Sequence, residues 1–183
     1  VRVRDVGVNP TRAGFLAVLR RMGADVTLEN EREVAGEPVV DIIARSSALR
    51  GTSIEGDIIP RLIDEIPILS VAAAVASGVT TIRDASELRV KESDRIAALT
   101  AGLRSLGAQV EELPDGLIVD GGHLRGGVCD AAADHRLAMA FAVAAQVAGG
   151  ETRIEGAESV AISYPTFWRH LTDLCGMEPI LSA

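Results

Sequence analysis

Every basic side chain of lysine or arginine type in this chain is an arginine except one. The exception, Lys91, sits inside Arg89-Val90-Lys91-Glu92-Ser93-Asp94-Arg95, the densest run of charge in the sequence. Arginine stays charged and is a poor proton donor or acceptor, whereas an ammonium is a compact charge whose pKa moves readily in a shaped site. The run therefore marks Lys91 as the first candidate for chemistry. The alternative is a solvated helix start in which the one lysine falls by accident.

Charge at helix starts adds a second set of candidates. A helix N-terminus carries unpaired N–H groups and a partial positive charge, so an aspartate is welcome there and an arginine is not. Asp64, Asp94 and Asp134 can each be read as a cap. Arg95 and Arg136 each follow such an aspartate within one turn, where their charge opposes the dipole. An anion between guanidinium and helix end would offset that opposition, and two such places in one chain suit a small ligand with more than one negative group. Arginines paired with nearby carboxylates are the bland alternative.

These candidates need elements to hold them, and the pattern supplies two kinds of helix. After Ser93 as N-cap, Ile96, Leu99, Leu103 and Leu106 form one stripe of an amphipathic helix. The stretches from Ile66 to Ala76 and from Leu137 to Ala148 are apolar almost all round, broken only by Ser70 and Gln146, and predict helices buried on every side. Strands are expected at Val39–Ala44, Thr80–Arg83, Gly116–Asp120 and Thr152–Glu155. Self-similarity links these pieces. Leu19-Arg20-Arg21-Met22-Gly23-Ala24-Asp25-Val26 returns as Leu103-Arg104-Ser105-Leu106-Gly107-Ala108-Gln109-Val110, and more faintly from Leu171 to Glu178, each with a glycine placed to close a helix. The apolar helices form a second repeated family that alternates with the first. The implied fold class is α+β, in repeated units with helices enclosed by sheets.

Composition excludes several function classes. The 183 residues, 48% hydrophobic, are enough for a substantial core. A formal net charge of −8 argues against nucleic acid, whose phosphates need a basic face. Neither apolar stretch reaches the roughly 20 residues that cross a bilayer, so no membrane partner is expected. Cys129 and Cys175 have no metal-ligand spacing and no disulfide framework, which points to a reducing compartment, by default the cytoplasm. The first residues, Val1-Arg2-Val3-Arg4-Asp5, have neither an initiating methionine nor a signal pattern, so a fragment is expected.

The run Leu88-Arg89-Val90-Lys91-Glu92-Ser93-Asp94-Arg95-Ile96 and the later Asp134-His135-Arg136-Leu137-Ala138-Met139 resemble two signatures of the 5-enolpyruvylshikimate-3-phosphate synthases. Further likeness lies in Asn9-Pro10-Thr11-Arg12, Gly56-Asp57, Leu62 to Pro67, Leu106-Gly107-Ala108 and Ser163-Tyr164-Pro165, so it spans essentially the whole chain. The resemblance implies a domain of βαβαββ units with buried parallel helices surrounded by sheets. It also implies that residues 1–183 are a single carboxy-terminal domain of a two-domain enzyme, with an amino-terminal domain as its missing partner. The implied reaction moves the enolpyruvyl group of phosphoenolpyruvate to the 5-hydroxyl of shikimate 3-phosphate and releases phosphate, with no metal or organic cofactor.

By the same resemblance Asp64 is the base at the sugar hydroxyl, Lys91 lies beside that hydroxyl and the bridging phosphate, and Glu92 protonates the methylene carbon. Asp64 and Lys91 then bind shikimate 3-phosphate, while Arg95 and Arg136 clamp phosphoenolpyruvate. Two departures stand out. Val160-Ala161-Ile162-Ser163 lacks the lysine that some members place there, and Glu87 stands near an asparagine that contacts substrate in others. His135 reads as structural, Arg12 as open, and Tyr164, Phe167 and Trp168 as packing. A UDP-sugar enolpyruvyl transferase of the same fold and a non-catalytic partner-binding domain are the alternatives, and the isolated chain is expected to be inactive, because half a closing cleft cannot exclude water.

Overall fold

The computed structural model describes residues 1–176. In chain order the elements are β1 (Arg2–Gly7), α1 (Gly14–Arg21), β2 (Asp25–Val34), β3 (Glu37–Arg45), β4 (Ser53–Ile54), α2 (Ile66–Ala74), β5 (Val79–Ile82), α3 (Arg95–Ser105), β6 (Gln109–Leu113), β7 (Gly116–Asp120), β8 (Val128–Asp130), α4 (His135–Ala145), β9 (Arg153–Glu155) and α5 (Phe167–Cys175). Short 3-10 turns precede α2 and α3 and lie between β9 and α5.

The sheets make the repeat explicit. The middle unit runs β4-α2-β5-α3-β6-β7, and its sheet has the order β4-β5-β7-β6, with β4 parallel to β5 and the other pairs antiparallel. The first sheet, β1-β3-β2, has the order of the last three strands of that unit, with α1 in the place of α3. The parallel pair β8–β9 has the order of its first two, with α4 in the place of α2 and α5 in that of α3. The described residues thus hold one complete βαβαββ unit flanked by the last four elements of one copy and the first four of another. The glycines that close α1, α3 and α5 all adopt left-handed backbone, at φ +90° for Gly23, +85° for Gly107 and +69° for Gly176. Met177 and Glu178, the end of the faintest repeat, lie outside the described residues.

The two helix families differ in burial as their patterns require. In α2 every residue from Ile66 to Ala74 except Ile68 and Ala72 is buried, and in α4 the buried set includes Leu137, Ala138, Ala140, Phe141, Ala142 and Ala144. Ile66, Leu69, Val71, Ala73 and Ala74 of α2 and Leu137, Ala138, Ala140, Phe141 and Ala144 of α4 join Ile96, Leu99, Leu103 and Leu106 of the α3 stripe in one continuous core. All three helices point the same way. Their C-terminal ends are tied to the loop after β7, through Gly122 N–H to Ala74 O, Arg125 N–H to Leu106 O, and Gly149 N–H to Leu124 O. Their N-termini therefore share the opposite end.

The expected boundaries need three corrections. Asp94, not Ser93, caps α3, its carboxylate accepting the Ala97 N–H at 3.0 Å. The α2 helix stops at Ala74, because Val75 leaves helical geometry and Ala76 N–H turns back to Ala73 O. The α4 helix begins two residues before Leu137, capped by Asp134, and ends at Ala145. Tyr164, expected to pack, is exposed and bonds His170 Nδ1 through its hydroxyl, whereas Phe167 and Trp168 do pack on the core. Burial pushes the Cys129 thiol up to about 11.

Close contact of α3 with α4 depends on Gly102, since a Cβ there would lie 2.2 Å from the Phe141 ring. Glycine to alanine inside a helix ordinarily gains up to about 1 kcal/mol. Here Phe141 is fully buried and its ring has nowhere to go, so overpacking of about 1–3 kcal/mol decides the sign. Gly102→Ala is expected to lower the urea midpoint, and adding Phe141→Leu to recover part of the loss. An unchanged or raised midpoint for the single variant would contradict this packing.

Candidate active site

The shared N-terminal end of the three helices is also where the charges gather. Asp64 lies in the 3-10 turn Ile63–Glu65 that feeds α2, Lys91 and Glu92 in the loop before α3, Arg95 at the first position of α3, and Arg136 at the second of α4. Two of the three helix-start aspartates are caps. Asp94 caps α3, and Asp134 caps α4 by accepting the N–H groups of Arg136 and Leu137 at 2.9 and 3.4 Å. Asp64 makes no such bond and is left for its charged neighbours.

Arg95 is the hub. Its side chain is 1% exposed, and its guanidinium reaches three carboxylates: Nε donates to Asp134 Oδ2 at 2.6 Å, Nη2 to Glu92 Oε2 at 2.6 Å, and Nη1 to Asp64 Oδ1 at 3.3 Å. The negative charge that offsets its place at a helix start comes here from the chain's own side chains. Asp134 is itself fully buried, and Ser93 Oγ also donates to it at 3.3 Å. Burial raises the pKa of Asp134, but the Arg95 bond and charge, with the Arg136 and Leu137 N–H groups, outweigh that and hold its carboxyl below the usual range.

Arg136 is more open. It approaches Asp64 twice, Nη2 at 3.4 Å from Oδ2 and Nη1 at 3.4 Å from the backbone oxygen. Four of the five expected residues are thus joined by direct contacts centred on Asp64 and Arg95. Lys91 is beside Glu92 in the loop, but its ammonium pairs with Glu87. The Glu92 side chain is 51% exposed on the far side of its bond to Arg95.

Arg12, whose role the sequence left open, joins this group. Its Nη2 lies 3.2 Å from Glu65 Oε1 and 3.7 Å from Asp64 Oδ2. The Asn-Pro-Thr-Arg motif explains how: Asn9 Oδ1 accepts both the N–H and the hydroxyl of Thr11, Arg12 N–H bonds Asn9 O, and Arg61 Nε anchors Pro10 O at 2.7 Å. An Asx turn was readable in that motif, though its docking partner 50 residues on was not. Asp64 consequently faces three guanidiniums, an arrangement able to receive an anion that displaces the carboxylate. Val160 to Ile162 end the 3-10 turn Ala157–Ile162, Ile162 is exposed, and Ser163 follows the turn.

No group of three or more metal-ligating side chains occurs among the described residues. No helix among them is long and apolar enough to cross a membrane. Two shallow surface concavities, of about 420 and 360 Å³, lie elsewhere, one along α3 and β6–β7 near Arg104 and the other on the first sheet near Arg32.

A family model described as EPSP synthase (3-phosphoshikimate 1-carboxyvinyltransferase) matches residues 1–171. Among curated proteins, a 3-phosphoshikimate 1-carboxyvinyltransferase of Herpetosiphon aurantiacus is 55% identical over 92% of this chain and 39% of its own length. One of Synechococcus sp. (strain JA-3-3Ab) is 59% identical over 90% of the chain and 37% of its own length. The chain therefore spans about two fifths of the curated relatives it matches. Among solved structures, EPSP synthase of Acinetobacter baumannii superposes with a TM-score of 0.95 at 41% identity, covering 100% of this chain and 43% of that one. The enolpyruvyl transferase NikO of Streptomyces tendae, at a TM-score of 0.69 and 24% identity over 94% of this chain and 38% of its own, shares the fold.

Proposed function

Because the chain belongs to the EPSP synthase family, we propose that it is one wall of an enzyme that transfers the enolpyruvyl group of phosphoenolpyruvate to the 5-hydroxyl of shikimate 3-phosphate. Residues 1–183 act as one domain, and an amino-terminal domain of the same enzyme supplies the facing wall in the cytoplasm. The observation that carries this reading is the convergence of Asp64, Glu92, Arg95, Asp134 and Arg136 where three parallel helices begin.

The addition of the hydroxyl across the double bond needs two proton transfers, and the substrates need a place for two anions. As the hydroxyl oxygen bonds to the substituted carbon of phosphoenolpyruvate, Asp64 takes its proton and Glu92 gives one to the methylene carbon. The Glu92 carboxylate then takes a proton back from that methyl group, the double bond re-forms and the carbon–oxygen bond to phosphate breaks, releasing inorganic phosphate. Lys91 stabilises charge on the bridging oxygen and assists the proton transfers. The Arg136 fork, with Arg95 behind it, receives the planar carboxylate. The mechanism invokes no metal or organic cofactor.

The test is phosphate release from the two substrates by this chain alone, by this chain with a separately made amino-terminal part of the Herpetosiphon aurantiacus relative, and by that mixture carrying Glu92→Gln. Turnover only in the unsubstituted mixture is expected. Turnover by the chain alone would refute the two-wall reading, and an inactive but associated mixture would refute the substrate assignment.

A further inference from the structure

Lys91 and Glu92 stand in a segment that its own backbone does little to hold. Residues 91–93 belong to no helix or strand, and Val90 just before them is 80% exposed. Yet both ends of this segment are fastened to the β6–β7 hairpin through a single side chain. Arg89 donates from Nε to Pro114 O at 2.8 Å, and from Nη2 to Leu113 O at 2.7 Å and Glu112 Oε1 at 2.9 Å. From Nη1 it donates to Asp94 Oδ2 at 2.8 Å, while the other oxygen of Asp94 caps α3. One guanidinium therefore ties residue 89, residue 94 and the hairpin together, with Lys91 and Glu92 between the fastenings.

We propose that Arg89 is a positioning residue that clasps the loop closed at both ends and so sets where Lys91 and Glu92 stand relative to Asp64 and Arg95. The proposal rests on the reading above only for what those two residues do, not for how they are held. Arginine is the side chain that fits. Its planar fork offers five N–H donors at fixed angles, and the four acceptors here lie around it on two separate segments, residues 112–114 and Asp94. A lysine could reach one or two of them, but not both the hairpin and Asp94 with the same geometry. The Glu112 bond, with the Asp94 bond and charge, raises the pKa of Arg89 despite partial burial, in keeping with a guanidinium held between carboxylates.

Arg104 gives an internal control. It bonds the same strand β6, Nε to Val110 O at 2.9 Å, but makes no hydrogen bond or ion pair to residues 89–94. A general loss of fastening between α3 and β6–β7 would follow from either substitution, whereas release of the loop follows only from Arg89.

The chain's single lysine makes the test direct, because a lysine-specific endoproteinase has one place to cut, after Lys91. Well below the thermal midpoint of each variant, Arg89→Gln is expected to speed that cut about tenfold or more by local opening, and Arg104→Gln to change it less than about twofold. Arg89→Lys is expected not to restore protection. As a spectroscopic signature, 13C-methylation labels only Lys91 and the terminal amine, and the Lys91 signal should shift and narrow in Arg89→Gln but not in Arg104→Gln. Equal cutting in all variants, or an unmoved Lys91 signal in Arg89→Gln, would overturn the proposal. Failure of the two-part mixture to release phosphate would instead count against the enzymatic reading, and the cleavage comparison would still decide the clasp.

Discussion

Asp134→Ala is expected to cost this chain about 3–5 kcal/mol of stability, because it leaves the Arg95 guanidinium buried without its one fully buried partner. Both groups are sealed from water, Arg95 at 1% and Asp134 at 0% side-chain exposure. The remaining contacts, to the half-exposed Glu92 and to Asp64 at 3.3 Å, cannot replace a bond at the centre of the hub. The same substitution removes the α4 cap, a further loss of about 1 kcal/mol. Against a typical domain stability of about 5–15 kcal/mol this is enough to unfold much of the population. Urea unfolding followed by circular dichroism measures it. The decisive companion is Arg95→Met with Asp134→Leu, which removes both charges and should be markedly more stable than Asp134→Ala. If the double variant were no better, or the single cost under about 1 kcal/mol, the pair would not be a buried ion pair in the sense argued.

The same carboxylate gives stability a pH dependence of known sign. With its folded pKa below the unfolded value near 3.8, Asp134 contributes fully above that value, and the contribution is lost as pH falls from there through the folded pKa. Asp41, bonded by the Asn30 side chain and the Asp5 N–H, and Asp115, bonded by the Asp84 N–H, are lowered likewise and act in the same window. Acid unfolding should therefore begin below about pH 4 and become shallower in Asp134→Asn.

Much of the fold could be read from the chain because its signals are local. An all-apolar run is buried wherever it goes, a stripe at helical spacing has one inner face, and a glycine at positive φ closes a helix in each repeat. Strand β2 escaped notice because Asp25–Val34 is rich in charge and largely exposed, and the alternation begun at Val26 and Leu28 is broken by Asn30 and Arg32. Its pairing with β3 is set by the turn at Ala35 and Gly36, both at positive φ, and by cross-strand contacts that a single segment does not encode. The site divides in the same way. Residue types and helix-start positions were legible for Arg95 and Arg136, but the partner of Arg95 is 39 residues away and that of Arg12 more than 50. A guanidinium opposing a helix dipole says that negative charge must be near. It does not say whether a ligand or the chain supplies it.

Lys91→Arg separates charge from proton transfer in the proposed reaction. An arginine keeps the positive charge and can still bond a phosphate or hydroxyl, but it does not give up a proton at working pH. If Lys91 passes protons, kcat of the two-part enzyme should fall about 10²–10⁴-fold with KM for both substrates little changed. That corresponds to about 3–5 kcal/mol of barrier. Lys91→Met, which loses the charge as well, should also raise KM. An arginine variant keeping more than about a tenth of kcat would show that the ammonium serves as a charge alone. The pairing of Lys91 with Glu87 does not stand in the way. Glu87 is 63% exposed, and an exposed pair of this kind contributes about 0–1 kcal/mol, so the ammonium can leave it for a substrate at small cost. Glu87→Gln should accordingly change kcat less than about fivefold, an effect one to three orders of magnitude below that of removing the titratable group itself.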